Sequence, residues 1–117
     1  MINFKKKLDQ DGYVVIKKFV SKKRIENIYS QIENLIDIIL KSNSIRYNEN
    51  WGLDKKYLFL KKKNNKLKSK FNDLLKNLES VNSAVFCSKT ISLIKRLMSE
   101  ENILVFGQRI RLDHKKD

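Results

Sequence analysis

Hydrophobic and polar positions repeat with two different periods along this chain, and each change of period marks an element. Phe4 and Leu8 share one face of a short amphipathic lead over Met1–Gln10. Asp11-Gly12 is a turn signal, because glycine accepts positive φ and aspartate bonds back to nearby backbone. Tyr13 to Phe19 is rich in β-branched and aromatic residues and predicts a first strand. Ser21 stands where an N-cap belongs, its hydroxyl placed to accept a backbone N–H of the first turn. Behind it Ile25, Ile28, Tyr29, Ile32, Leu35, Ile36 and Ile39 keep helical spacing and predict a long helix that fades between Lys41 and Asn43.

The polar run Asn43–Asn50 reads as loop. Trp51-Gly52 and Tyr57-Leu58-Phe59-Leu60 make an apolar patch without a clear period, either a short strand or a packed loop. After a charged turn, Leu67, Phe71, Leu74, Leu75 and Leu78 predict a helix over 66–78, which Ser80–Ser83 breaks. Ser88 can cap another helix with Ile91, Ile94, Leu97 and Met98 inward. Ile103–Leu112 then predicts a second strand. A helix-rich front leading into β-structure is an α+β layout. Two strands alone make a marginal sheet, so residues 1–117 read as a single partial domain.

Composition narrows the chemistry. Lys and Arg outnumber Asp and Glu 26 to 13, a net charge of +13, which invites a nucleic-acid partner. The excess is nearly all Lys, accompanied by many Asn and Ile and no Pro, a bias that codon composition in an AT-rich genome also produces. The lysines are spread along the chain, so solvated surface charge is the first reading, and Lys55-Lys56 and Lys61–Lys70 keep the nucleic-acid reading open. Lys5–Lys7 run into Asp9-Gln10-Asp11 and not into an apolar stretch, so no signal peptide is expected. The apolar run at Leu35–Leu40 is too short to span a bilayer.

With one cysteine, Cys87, and one histidine, His114, no internal disulfide and no zinc pattern can form, and a reducing cytoplasm is the expected compartment. Cys87 is expected to be a small core residue and Trp51 a packing residue. The three glycines stand too far apart for a phosphate loop. His114 and Asp117 fall short of the two-His-one-carboxylate set of an iron site. Arg109 and Arg111 would share one face of the second strand, with Asp113 following. That face is either wet and partly neutralised or a wall aimed at an anionic cofactor or substrate.

Asp11-Gly12-Tyr13-Val14-Val15-Ile16, followed by Phe19-Val20-Ser21-Lys22 and Ile25, resembles the N-terminal signature of the phytanoyl-CoA dioxygenase family. Leu8 stands at the usual Phe position, and Lys23-Arg24 replace the usual acidic pair. Ile94–Met98 leading into Ile103-Leu104-Val105, and then Arg109-Ile110-Arg111-Leu112-Asp113, are similar to the helix and strand that precede the family's iron site. The resemblance implies the helix-rich N-terminal part of a double-stranded β-helix (jelly-roll) oxygenase, its β core incomplete in this chain. It implies iron(II) and 2-oxoglutarate as cofactors of the full-length protein and a small-molecule substrate. The family's His-x-Asp and distal His have no counterpart in these residues, so the chain alone is expected to hold no iron and to be inactive. Arg109 and Arg111 are the cofactor-facing residues that the resemblance implies. A small, basic, helix-rich nucleic-acid-binding protein is the alternative expectation, and an interaction module built on an open sheet edge is a third.

Overall fold

The computed structural model describes residues 3–103. Six helices follow one another: α1 (Phe4–Asp11), α2 (Lys22–Ser42), α3 (Leu53–Lys63), α4 (Asn65–Leu75), α5 (Glu79–Phe86) and α6 (Ser88–Met98). No strand occurs among the described residues. The α+β, jelly-roll expectation is therefore corrected: the described chain is all-helical.

Local chemistry explains where the helices start. Asn3 caps α1 by accepting the Lys6 N–H, Ser21 caps α2 through the Arg24 N–H, and Asn64 caps α4 through the Lys66 and Leu67 N–H groups. Gly12, at φ 79°, closes α1 in the left-handed region, its N–H donating to Leu8 O. The core lies where α2, α3 and α4 meet. Ile32, Ile36, Ile39 and Leu40 from α2 pack against Leu53, Tyr57 and Leu60 from α3 and Phe71 and Leu75 from α4. Phe71, Ile36, Leu40, Leu60 and Leu75 are completely enclosed. At about 25 cal/mol per Å² of apolar surface, each is worth roughly 1.5–3 kcal/mol.

Three predicted elements change type. Tyr13–Ile16 is non-helical and alternates outward Tyr13 and Val15 with half-buried Val14 and Ile16, but it is not a strand. Among the described residues no backbone hydrogen bond pairs it with another segment, and a turn at Lys17-Lys18, with Lys18 at φ 57°, ends it. Tyr57–Leu60 is not strand or loop: Leu53, Lys56, Tyr57 and Leu60 form the buried stripe of α3, and Trp51-Gly52 precede it. Ser80–Ser83 does not break helicity but lies inside α5. Leu78 has no side chain with which to cap α5, and Gln31 of α2 takes over. Its Oε1 accepts the Ser80 N–H at 3.0 Å while its Nε2 donates to Glu79 at 3.3 Å.

Beyond the core, α5 packs on α2, α6 on α5, and α1 on α6. Neither α1 nor α6 buries a residue fully. Ile25, Tyr29 and Met98, expected inward, are 55%, 48% and 59% exposed. The apolar stripe of α2 thus reaches beyond the core that its own neighbours cover. The second predicted strand, Ile103–Leu112, lies outside the described residues from 104 onward.

Candidate functional site

The opening run folds back on α6 and makes the first candidate. Val14 and Ile16 point inward with Phe19, toward Ile25 of α2 and Leu93 and Leu97 of α6, around an open apolar groove of about 510 Å³. Lys89 of α6 fixes the turn. Its ammonium donates to Phe19 O at 2.7 Å and lies 4.5 Å from the centroid of the Phe19 ring. No titratable pair faces this groove, so it can take up apolar surface but carries no acid–base chemistry.

Cys87 sits at the neighbouring corner, half-buried and free of disulfide. It is the N-cap residue of α6, a role expected of Ser88, and makes no side-chain cap bond. Its Sγ lies 3.2 Å from Thr90 Oγ1, whose single proton can go either to the sulfur or to Ala84 O, 2.9 Å away. The Thr90 hydrogen bonds, helped by the charge of Arg24, hold the thiol below its usual value against a smaller effect of burial. A cavity of about 90 Å³ opens beside it, with Arg24 and Lys89 on its rim. The thiol has positive neighbours but no histidine or carboxylate base among them, so nucleophilic catalysis lacks its second group.

A third cluster lies deeper. Lys56, in the buried stripe of α3, places its ammonium 2.9 Å from Asp37 Oδ1 of α2. Tyr47, in the α2–α3 connection, donates its hydroxyl to the same oxygen at 2.8 Å. Burial raises the Asp37 pKa, but the hydrogen bonds from Lys56 and Tyr47 and the charges of Lys56 and Lys41 prevail and lower it. Burial, then the bond to Asp37, pushes Tyr47 up to about 12. Lys41, held by Glu49 at 2.8 Å, is raised by that hydrogen bond and charge. The cluster pins the connection between α2 and α3. Both donors are spent on one carboxylate oxygen, so it is a structural clamp.

Trp51 is half-buried and meets Phe59 edge-on, with centroids 5.1 Å apart, as expected of a packing residue. Cys87, expected in the core, is instead only partly covered. Arg109, Arg111, His114 and Asp117 lie outside the described residues. Among the described residues no group of three His, Cys, Asp or Glu side chains is placed to hold a metal ion. No described helix is long and apolar enough to cross a membrane. Sequence reasoning missed the Lys56–Asp37–Tyr47 clamp. A lysine at the i+3 position between Leu53 and Leu60 was its only signal. Comparison with family models, with curated proteins and with solved structures finds no match for this chain.

Proposed function

We propose that the chain is the helical N-terminal region of an iron(II)- and 2-oxoglutarate-dependent oxygenase similar to phytanoyl-CoA dioxygenases, with the iron chemistry carried elsewhere in the full-length protein. The observation that carries this reading is the geometry of the opening run. Gly12 is left-handed, Tyr13–Ile16 is non-helical with alternating burial, and Ser21 caps a helix of 21 residues. The turn and the capped helix stand in the order of the motif, while the strand expected between them is not formed among the described residues.

In this reading the described residues form a scaffold. The core of α2, α3 and α4 anchors the long helix, and Lys89 fastens the turn at Phe19 to α6. Arg109 and Arg111 are the chain's contribution to an anionic cofactor or substrate, an assignment that rests on the resemblance alone. The substrate is a small molecule held mainly by the rest of the protein.

The test is to express the complete reading frame that carries residues 1–117 and to measure succinate formation from 2-oxoglutarate with and without iron(II). The reading expects iron-dependent turnover and a His-x-Asp in the sequence after Asp117. A complete reading frame without such a motif, and without turnover, overturns it.

A further inference from the structure

We propose that one face of α3, built from Trp51, Lys55, Phe59 and Lys63, binds single-stranded nucleic acid, an inference that does not rest on the oxygenase reading. The four residues recur at every fourth position and so line one side of the helix and the turn before it. Lys55 Nζ stands 4.7 Å from the Trp51 ring centroid, and Lys63 Nζ stands 5.4 Å from that of Phe59. Cation and ring therefore alternate along the stripe, with Lys55 and Lys63 about 12 Å apart at 1.5 Å of rise per residue.

The surroundings are positive. Lys61, Lys62, Lys66, Lys68 and Lys70 follow on α3 and α4, and no carboxylate occurs in the sequence between Lys55 and Asn72. Among the described residues none of these lysines, nor Lys55 or Lys63, forms a salt bridge, in contrast to Lys5, Lys22, Lys41 and Lys56, among others. An uncompensated cationic surface attracts a polyanion.

The rings select among polyanions. At an exposed site an ammonium is held only weakly over an aromatic face. A phosphate draws the ammonium away, and the solvent-facing part of the half-buried Trp51 ring can then take a base, the stacking platform of single-strand binding, while Phe59 backs it edge-on from the core side. A duplex keeps its base faces stacked and cannot use the rings. An anionic bilayer would take the lysines but needs apolar surface to bury, and α3 spends Leu53, Tyr57 and Leu60 on the core.

Trp51 is the only tryptophan, so the fluorescence of the full chain reports on the stripe directly. Titration with an oligothymidylate of about 15 nucleotides should quench it. The affinity should fall with salt, and the double variant Lys55→Gln/Lys63→Gln should flatten the slope of log K against log salt by about 1.4, that is ~0.7 per lysine. Lys6→Gln/Lys7→Gln, on α1, should leave quenching and slope as they were, and far-ultraviolet circular dichroism should show all variants equally helical. Absence of quenching at low salt overturns the proposal. An equal loss from the α1 variant, or binding to duplex DNA or anionic vesicles as tight as to the oligothymidylate, overturns it as well.

Discussion

Lys56 and Asp37 meet 2.9 Å apart across the α2–α3 interface, and their burial is unequal: the Lys56 side chain is 5% exposed, that of Asp37 29%. The two halves of the pair are therefore not equivalent. Asp37→Ala strands a buried ammonium and should cost about 3–5 kcal/mol. Lys56→Met keeps the volume of the stripe and leaves a carboxylate that water and Tyr47 can still reach, so it should cost about 1 kcal/mol. Urea unfolding of the two variants checks the order, and equal losses would contradict the clamp.

The clamp also sets the response to pH at both ends. Asp37 has a lowered pKa in the folded chain. Its contribution is full above the unfolded carboxylate value of about 3.9 and is lost as pH falls through the lower folded value. Tyr47 is raised to about 12. Its contribution is full below the unfolded value of about 10 and is lost as pH rises toward the folded one. Stability measured against pH should therefore drop below pH ~4 and again above pH ~10. Tyr47→Phe should remove the part of the alkaline drop that comes from this residue, and an unchanged alkaline limb in that variant would count against the bond to Asp37.

Asn64 serves two helices at once. Its N–H donates to Leu60 O at the end of α3, and its side chain accepts the Lys66 and Leu67 N–H groups at 3.1 and 3.2 Å. Asn64→Ala should lower stability by about 1 kcal/mol, and Asn64→Asp should restore most of it. Thermal unfolding followed by circular dichroism distinguishes the two.

Ser80 runs the other way. It is 3% exposed, and its hydroxyl has no hydrogen-bond partner among the described residues. Ser80→Ala removes a buried polar group from a helix and should stabilise the chain by about 0.5–1 kcal/mol. A loss of that size in chemical denaturation would show that the hydroxyl is satisfied.

What could be read from the sequence depended on whether a helix carries its own start signal. Ser21 precedes a clean apolar stripe, and the prediction of α2 matches the structure from its cap to its last turn. The stripe of α4 was equally legible in Leu67, Phe71 and Leu75, although its cap, Asn64, was read as part of a turn. The stripe of α3 was hidden because two of its buried positions are Lys56 and Tyr57, and a charge in the apolar period reads as a break. The acceptor that Lys56 needs, Asp37, is 19 positions away. The start of α5 was hidden because its capping group, Gln31, comes from another helix. Tyr13–Ile16 shows the reverse case. Its alternation was read as a strand, but a strand also needs a partner, no local pattern supplies one, and none forms among the described residues. The candidate cofactor residues Arg109 and Arg111 lie outside the described residues, so their placement rests on sequence alone.

Fold and proposed function meet in one claim: Tyr13–Ile16 is a non-helical break between two helices, and 53–63 is helical. Backbone chemical shifts of the isotope-labelled chain test both halves together. The account predicts non-helical Cα and Cβ shifts at Tyr13–Ile16 and an unbroken helical run from Leu53 to Lys63. Helical shifts through Tyr13–Ile16, or strand-type shifts at Tyr57–Leu60, would contradict it.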